Sequence, residues 1–531
     1  MSRVANPVLT GFHADPSIVR VGEYFYIANS TFEWYPGVEL HRSKDLACWE
    51  SLPSPLGEKR LLDMEGARAS CGVWAPCLSY GDGLFWLIYT NVRTWNAGPW
   101  KDCPNYLTTA PAIGGPWSDP VFLNCSGFDP SLFHDEDGKK WLVNMEWDYR
   151  QGIDPEGPQF TGILLQEYSP AEKKLIGAPR KIFKGSPIMC VEGPHLYKRG
   201  GWYYLLTAEG GTVYKHAATL ARSRSIEGPY EIHPHNPLIS SSGKPELLLQ
   251  KAGHASWCET ADGRTYLACL CGRPLPGTKN CPLGRETSIA ELVWHDDWPY
   301  IKAEDGGRQN WPADTFDSPV EITGGAVRNA SAAYNFDGSA IHGDFKTLRA
   351  GAQPDRYSLS ARPGWLRLRG GQSPVSPYGQ TLLARRQRDF SFTAETCLEF
   401  NPKSFQELAG LCWRYDERNQ YLLAVTWDEN RGRSLAILSM IEGRFSREEG
   451  PALPASGAVY LGLSVRERDG RFRYSADGKN YTGIGKPLDA CVLSDEFDTL
   501  GFTGAFTGMF CVDTARWEAL ADFKYFTYTA L

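Results

Sequence analysis

Five residues that can transfer protons or bind a ring stand at the start of five similar segments in the N-terminal half of the chain. They are Asp15, Trp74, Asp129, Glu192 and His254, and successive members lie 55 to 63 residues apart. A pair of carboxyl groups can supply a general acid and a general base, and an imidazole can exchange protons near neutral pH. An indole offers a flat apolar face. Three carboxylates, one indole and one imidazole therefore form a candidate site, provided that the fold brings them together.

Each of the five segments has the same local pattern. A short apolar strand is followed by a polar or glycine-containing turn and then by an aromatic-rich strand. These second strands contain Tyr24–Ala28, Phe85–Tyr89, Trp141–Met145, Trp202–Leu206 and Thr265–Cys269. A hairpin repeat of this length without helical periodicity predicts the blades of a β-propeller.

The propeller prediction gives the five segment-opening residues a common location. Equivalent innermost strands surround one axis, so their first residues should converge on one space. When the prolines of the segments are aligned, Trp74 and Glu192 stand one residue before Asp15 and Asp129. We therefore expect side chains that converge without strict symmetry.

Taken singly, each of these residues has a simpler explanation. An Asp before Pro is most often a turn residue, and the proline biases it toward an extended conformation. A Glu before Gly-Pro is usually a solvated loop residue, and a lone His is more often structural than catalytic. Their joint occurrence at equivalent points of five repeats favours a functional site.

The composition limits the protein's class and its partners. The chain has 531 residues, of which 42% are hydrophobic and 22% charged, as in ordinary globular proteins. Its net charge of −7 argues against nucleic acid and anionic membranes as partners. No segment approaches the ~20 apolar residues that span a bilayer. The aromatic content of 13% suits β-strand packing and also the stacking of rings on sugars.

The cysteines and the N-terminus bear on the compartment. The 14 cysteines include no Cys-x-x-Cys pair, and several, such as Cys190, Cys269, Cys412 and Cys511, lie in apolar, strand-like runs. Buried free thiols in a reducing compartment are the simplest explanation. The segment Met1–Thr10 lacks the pattern of a secretory signal. We expect a cytoplasmic protein, and we also expect a homo-oligomer whose subunit number the sequence does not set.

The repeat pattern divides the chain into two domains. We expect a five-bladed β-propeller at residues 1–305, a linker at 306–325 and a β-sandwich at 326–531. The second domain reads as short alternating strands without the repeat. These include Tyr357–Leu359, Trp365–Arg369, Phe390–Phe392, Tyr421–Val425, Val459–Leu463, Phe472–Tyr474 and Phe523–Phe526. The fold class is therefore predicted to be all-β.

Six short motifs are distributed along the chain. They are Asn6–Ser17, Gly72–Pro76, Phe128–Phe133, Val191–His195, Leu283–Ser288 and Thr503–Gly508. In this order they resemble the motifs of glycoside hydrolase family 43 β-xylosidases, and Asn6–Ser17 is similar to the start of that family. The resemblance covers essentially the whole chain.

The resemblance implies roles for particular residues. Asp15 would be the general base, Glu192 the general acid, and Asp129 the residue that tunes the acid and orients the substrate. The implied substrate contacts are Phe32, Trp74, Trp147, Thr207, Arg285, His254 and Phe506. Phe506 would reach the pocket on a loop of the second domain. No cofactor is expected for the chemistry, although some relatives hold a calcium ion near the residue equivalent to His254.

The resemblance also implies a reaction. It predicts an exo-acting, inverting hydrolase that releases xylose from the non-reducing ends of β-1,4-xylo-oligosaccharides. Inversion requires about 6.5–9.5 Å between the acid and the base, which leaves room for a water molecule. The first alternative is an α-L-arabinofuranosidase or a bifunctional enzyme, because the two sugars present similar hydroxyl geometry. A sugar-binding propeller without catalysis is a more distant alternative, since such a protein would lack one of the three carboxylates.

Overall fold

The computed structural model describes residues 2–95, 98–151, 159–322, 331–498 and 500–531. They form two compact units. The first contains the residues up to Glu33, the segment Gly37–Arg273, and the residues from Arg285 to the gap at 323–330. The second contains Trp34–Pro36, Pro274–Gly284 and the residues after that gap.

Five antiparallel sheets of four or five strands make up most of the first unit, and they follow one another along the chain as blades 1 to 5. Blade 1 contains Ala14–Val21, Tyr24–Ser30, Glu39–Ser43 and Glu50–Leu52, and blade 2 contains Gly72–Gly81, Leu84–Val92, Asn105–Ala110 and Val121–Asn124. Blade 3 contains Ser131–His134, Lys140–Trp147, Phe160–Ser169 and Lys174–Phe183. Blade 4 contains Glu192–Arg199, Trp202–Glu209, Ala217–Ser223, Glu231–Ile232 and Ile239–Ser240. Blade 5 contains Gln250–Glu259, Thr265–Gly272, Arg285–His295, Trp298–Lys302 and Arg308–Gln309.

Serines at equivalent positions of the repeat tie neighbouring blades together. The Ser256 hydroxyl donates to the carbonyl of Pro16 at 2.8 Å, which joins blade 5 to blade 1. The Ser131 hydroxyl donates in the same way to a blade 4 carbonyl at 2.6 Å. The Ser17 hydroxyl accepts a blade 2 backbone N–H at 3.0 Å. Because these groups are buried, their hydrogen bonds avoid the cost of unpaired polar atoms and fix the inner strands to one another.

One residue with a positive φ, which we call the left-handed residue, occurs at the equivalent point of every blade. Asp15, Ala75, Asp129, Gly193 and His254 have φ values of 51°, 30°, 55°, 55° and 36°. The inner strands of blades 1, 2, 4 and 5 show a register shift at this point. A bulge of this kind re-aims side chains, and strained backbone at equivalent positions is characteristic of functional sites.

Two strands of the first unit fall within the predicted linker of 306–325. Arg308–Gln309 is the outer strand of blade 5. Thr315–Asp317 pairs with Arg3–Ala5 near the start of the chain. The predicted start of the second domain at residue 326 lies outside the described residues.

The second unit is built on two large antiparallel sheets with an apolar core. One sheet contains Tyr357–Ser358, Leu366–Arg369, Leu520–Ala530, Phe392–Phe400, Ala458–Arg466, Asp469–Ser475 and Thr482–Asp489, with Ala332–Asn335 paired to Leu520–Ala530. The other contains Thr381–Arg386, Phe506–Asp513, Glu407–Arg414, Gln420–Asp428, Gly432–Ile441 and Arg444–Ala452. Buried residues from both sheets, among them Leu398, Phe523, Leu411 and Met509, form its core. This is the layered arrangement of a β-sandwich.

The all-β prediction of a five-bladed propeller followed by a β-sandwich is confirmed. The sequence did not predict that Trp34–Pro36 and Pro274–Gly284 belong to the second unit, where Trp34–Tyr35 pairs with Thr347–Leu348. The helical elements of the described residues are two 3-10 turns, Tyr149–Gln151 and Ala490–Leu493. Among these residues, no helix is long and apolar enough to span a membrane.

All 14 cysteines are free thiols. Three of the four cysteines that the sequence places in strand-like runs lie in strands, namely Cys269, Cys412 and Cys511. Cys190 differs, because it lies just before the first strand of blade 4 with a φ of 57°. It is nevertheless buried.

Candidate active site

Asp15, Asp129 and Glu192 converge in one buried region of the first unit. Their exposed fractions are 5%, 6% and 7%. The charge of Asp15 acts on the ionisation of both other acids, and that of Glu192 acts on Asp129. The left-handed residues explain this convergence, because Asp15 and Asp129 occupy two of those positions and Glu192 immediately precedes a third. We call the space that these three carboxylates share the axial pocket.

Asp15 is held by groups that favour its ionised form. Arg285 Nη1 donates to Oδ1 at 2.9 Å, and the Ser30 hydroxyl donates to Oδ2 at 2.6 Å. His254 Nδ1 lies 3.7 Å from Oδ1. Burial alone would raise the pKa of Asp15, but the charges of Arg285 and His254 and the Ser30 hydrogen bond lower it below its ordinary value. Asp15 is therefore a carboxylate near neutral pH.

Glu192 and Asp129 show the opposite behaviour. Burial, followed by repulsion from Asp15, raises the pKa of Glu192 to about 8. Burial and repulsion from Glu192 and Asp15 raise the pKa of Asp129 well above its ordinary value. Like charges in a low-dielectric site disfavour each other's ionisation. The Asp129–Glu192 pair therefore retains a proton at neutral pH.

His254 lies beside Asp15 among other buried imidazoles. Burial lowers its pKa, and the nearby charge of Arg285 acts in the same direction. The pKa values of His195 and His216 are lowered by burial, and the charge of His254 lowers them further. The negative charge of Asp15 acts in the opposite direction and favours the protonated imidazole of His254.

The donor set around His254 does not fit a calcium ion bound by protein oxygens. Ca²⁺ takes six to eight oxygen ligands. Asp15 is the carboxylate that the described structure places against His254, and its two oxygens already accept hydrogen bonds from Arg285 and Ser30. Positive charge from Arg285 also acts on His254.

Aromatic rings from blades 1 to 3 surround the predicted substrate contacts. Trp74 lies 5.9 Å from Phe32 and 5.3 Å from Phe128, measured between ring centroids. Phe128 in turn lies 6.2 Å from Trp147. The Arg285 guanidinium is 5.3 Å from the centre of the Phe32 ring. Phe32, Trp74, Trp147 and Arg285 are thus connected to the axial pocket through direct contacts.

Thr207 and Phe506 have different surroundings. The Thr207 hydroxyl is buried in blade 4 and is hydrogen-bonded to Thr219 at 2.7 Å. Phe506 lies in the second unit, where its ring stacks on Trp34 with a centroid distance of 3.7 Å and an interplanar angle of 14°. The role of Phe506 in the pocket therefore stays a prediction from the resemblance.

Lys101 is a pocket residue that sequence reasoning missed. Its Nζ lies 3.8 Å from the ring centre of Trp147, 4.3 Å from Trp95, 4.9 Å from Phe128 and 5.4 Å from Trp74. Burial lowers the pKa of Lys101 to about 8, although the charges of Glu192 and Asp129 oppose this shift.

No pattern in the sequence distinguished Lys101 from surface lysines, because it lies in a segment without strand periodicity. The one available signal was its closeness to aromatic residues, since Trp95 and Trp100 precede it on the same segment. The structure makes Lys101 a cation within reach of both the candidate acid and four aromatic faces.

The arrangement supports acid–base chemistry on a polar bond. One carboxyl retains a proton, another is ionised, and flat rings stand beside them. When their environments separate the pKa values of two carboxyl groups, one group can act as the acid and the other as the base in hydrolysis of a sugar–sugar bond.

Comparison with models of protein families identifies the family to which the chain belongs. Residues 4–299 match the model described as glycosyl hydrolases family 43, and residues 333–529 match the β-xylosidase C-terminal concanavalin A-like domain. The chain belongs to glycosyl hydrolases family 43. This family 43 enzyme is therefore a glycoside hydrolase, and the resemblance seen in its motifs is confirmed.

Individual relatives cover the enzyme over its whole length. It is 47% identical to xylosidase/arabinosidase 43B of Humicola insolens, covering 99% of this chain and 98% of that protein. It is 46% identical to a β-xylosidase of Bacillus subtilis strain 168, covering 99% of both chains. A crystal structure of a xylan β-1,4-xylosidase from Bacillus halodurans C-125 is 50% identical, covers 99% of this chain and 100% of that one, and superposes with a TM-score of 0.94.

Proposed function

We propose that this enzyme is an exo-acting, inverting β-xylosidase that releases xylose from the non-reducing ends of β-1,4-xylo-oligosaccharides. The observation that carries the proposal is the division of labour in the axial pocket. Asp15 is paired with Arg285 at 2.9 Å, whereas Glu192 is buried in the same pocket without such a direct ion pair among the contacts seen in the described residues. Hydrolysis with inversion needs one carboxylate and one carboxylic acid, and these two environments supply them.

Asp15 acts as the general base. Its carboxylate accepts a proton from a water molecule, and the water oxygen forms a bond to the anomeric carbon. Arg285 and Ser30 hold the carboxylate in one orientation, which reduces the cost of positioning it during the reaction. The bond from the anomeric carbon to the glycosidic oxygen breaks from the opposite side, so the configuration at that carbon inverts.

Glu192 acts as the general acid. It gives its proton to the glycosidic oxygen, and the shortened sugar chain leaves as an alcohol. At the end of the step Asp15 carries the proton from water and Glu192 is ionised, so exchange of both protons with solvent restores the enzyme. The charge of Glu192 raises the pKa of Asp129. An ionised Asp129 would in turn disfavour loss of the Glu192 proton before the leaving oxygen requires it, because like charges repel.

The names of the relatives support xylose as the substrate sugar. The Bacillus subtilis relative is named a β-xylosidase, and the Bacillus halodurans structure is that of a xylan β-1,4-xylosidase. The Humicola insolens relative is named both a xylosidase and an arabinosidase. We therefore propose α-L-arabinofuranosidase activity as a second activity of the same site. Rates on the two 4-nitrophenyl glycosides, measured side by side, give the ratio of the two activities.

Proton NMR during xylobiose hydrolysis tests the main proposal. The expected result is that α-xylose appears first and then mutarotates toward equilibrium, because a β-glycoside is cleaved with inversion. First appearance of the β-anomer would overturn the inverting mechanism. Products from polymeric xylan test the exo mode: xylose alone is expected, and a mixture of longer oligosaccharides at early times would contradict it.

Two further expectations concern the cellular location and the oligomeric assembly of the enzyme. We infer a cytoplasmic location, supported by 14 free cysteines that are mostly buried. We also propose that the enzyme assembles as a homo-oligomer. Light scattering of the purified protein tests the assembly, and a mass equal to one chain of 59.1 kDa would overturn it.

A further inference from the structure

Two exposed aromatic rings stack on each other beside the aromatic part of the axial pocket. The ring centroids of Trp100 and Tyr149 are 3.8 Å apart, with an interplanar angle of 22°. Trp100 is 60% exposed and Tyr149 is 43% exposed. A Trp–Tyr stack that presents this much ring surface to solvent is an unusual use of two large apolar side chains.

Both rings are attached to segments that contact the pocket wall. Trp147 Nε1 donates to the carbonyl of Pro99 at 2.9 Å, and Pro99 immediately precedes Trp100. Lys101, which follows Trp100, places its Nζ 3.8 Å from the centre of the Trp147 ring. Tyr149 lies two residues after Trp147 at the start of a 3-10 turn. The stack therefore continues the aromatic lining of the pocket toward solvent.

Glu192 indicates the side of the pocket toward which the stack lies. The general acid contacts the glycosidic oxygen, so the departing part of the substrate lies on the side of the acid. The charge of Lys101 acts on the ionisation of Glu192, and its Nζ contacts the Trp147 and Phe128 rings of the pocket wall. Trp100 is the neighbour of Lys101 in the chain, which favours this side of the pocket for the stack.

We propose that Trp100, supported by Tyr149, is a stacking platform for a xylose unit of the leaving chain beyond the unit that contacts Glu192. This inference rests on the proposed function and adds a preference for chain length. A pyranose ring offers an apolar face of C–H groups that packs on a flat indole. Because Tyr149 already fixes one face of the indole, little side-chain entropy remains to be lost when a sugar binds the other face.

Chain-length kinetics test the platform. We compare the unaltered enzyme with Trp100→Ala, Trp100→Phe and the control Phe445→Ala, which removes an equally exposed ring (64%) from the second unit. The quantity measured is kcat/KM on xylotetraose divided by kcat/KM on xylobiose. We expect this ratio to fall about 5- to 20-fold in Trp100→Ala, to recover largely in Trp100→Phe and to stay unchanged in Phe445→Ala. An unchanged ratio in Trp100→Ala would overturn the platform.

Binding to an inactive enzyme gives a second readout that does not depend on turnover. In a Glu192→Gln background, calorimetry should show that xylotetraose binds more tightly than xylobiose, and that adding Trp100→Ala removes this difference. Equal affinities for the two sugars in Glu192→Gln would overturn the inference. If the unaltered enzyme cleaves no xylo-oligosaccharide and Glu192→Gln binds none, the proposed function itself fails; if cleavage is normal but independent of Trp100, only the platform fails.

Discussion

The Ser30 hydroxyl donates a 2.6 Å hydrogen bond to Oδ2 of Asp15 and accepts the backbone N–H of Ala75 at 2.8 Å. One side chain of blade 1 thereby joins the candidate base to the left-handed residue of blade 2. All three groups are buried, so each hydrogen bond replaces one that water would otherwise make. The base is fixed by the same contacts that hold two blades together.

Ser30→Ala should weaken catalysis and move the acidic limb of the pH profile. Loss of the hydrogen bond raises the pKa of Asp15, because this bond favours the carboxylate. The base will then become protonated at a higher pH than in the unaltered enzyme, and the rate will fall earlier on acidification. We expect kcat/KM at pH 7 to fall about 10-fold, the scale of one hydrogen bond to a charged group.

Ser17→Ala is the matched control. Its hydroxyl is buried in the same blade and accepts a backbone N–H from blade 2, as the Ser30 hydroxyl does. Among the described residues it forms no hydrogen bond with Asp15, so its loss should lower thermal stability without moving the acidic limb. Equal displacement of that limb in both variants would contradict a specific role for Ser30.

Glu192→Gln should remove the proton that the leaving oxygen requires. We expect kcat/KM on xylobiose to fall by about 10²–10⁴, the usual contribution of a positioned acid. The value of kcat/KM on a 4-nitrophenyl xyloside should fall much less, because the leaving group of this substrate departs without protonation. Steady-state kinetics on both substrates measure this difference.

Glu209→Gln provides the comparison for Glu192→Gln. Glu209 is a buried acid of blade 4 whose carboxylate accepts hydrogen bonds from Ser186 and Thr219. This substitution should lower kcat/KM on the two substrates by the same factor, because Glu209 supports the structure and does not protonate the leaving group. Near-normal hydrolysis of xylobiose by Glu192→Gln would refute the assignment of the acid.

The alkaline limb of kcat/KM should lie near pH 8. Glu192 must carry a proton in the free enzyme, and its pKa is about 8, so the active fraction falls as the pH rises through that value. Lys101→Met removes a positive charge that lowers the pKa of Glu192. The limb should therefore move to higher pH in this variant, and a shift to lower pH would show that Lys101 does not act on Glu192.

Gly193→Ala should disturb the pocket more than its backbone strain alone explains. A Cβ at Gly193 would lie 2.9 Å from Cε1 of His254, and its φ of 55° already disfavours a side chain. Gly200 has a φ of 58° with no atom within 4 Å of the added Cβ. We expect Gly200→Ala to cost about 1 kcal/mol of unfolding free energy, with no change in kcat/KM.

Gly193→Ala should cost more than Gly200→Ala in chemical denaturation and should also lower kcat/KM on xylobiose at least 10-fold, because His254 must move beside Asp15. Equal losses of stability in the two variants, with unchanged activity, would show that the space around Gly193 accepts a methyl group. The pair separates backbone strain, which the variants share, from the steric contact, which only one has.

The sequence predicted strands whose side chains alternate in burial, and it missed strands whose side chains are mostly exposed. Val459–Leu463 lies within the strand Ala458–Arg466, in which buried positions alternate with partly buried ones except at its buried centre. The strand Arg444–Ala452 was not predicted, because it is polar and exposed along most of its length. Such an outer strand gains its stability from backbone pairing with Gly432–Ile441, and backbone pairing leaves little trace in side-chain pattern.

The sequence by itself determined which residues open each blade, because a repeat of hairpins with Pro, Ala or Gly directly after those residues indicates the inner strands. It thereby identified three carboxylates as the candidate chemistry. It also determined the family, through motifs distributed over both domains.

Only the tertiary structure decided how those carboxylates differ. Asp15 receives Arg285 from a point 270 residues further along the chain, whereas Glu192 is coupled to Lys101 from another blade. The ionisation of a buried acid depends on its distance to other charges and on its removal from water, and both are fixed only when the blades close around one axis. Lys101, Ser30 and the exposed Trp100–Tyr149 stack acquire their proposed roles from the same closure.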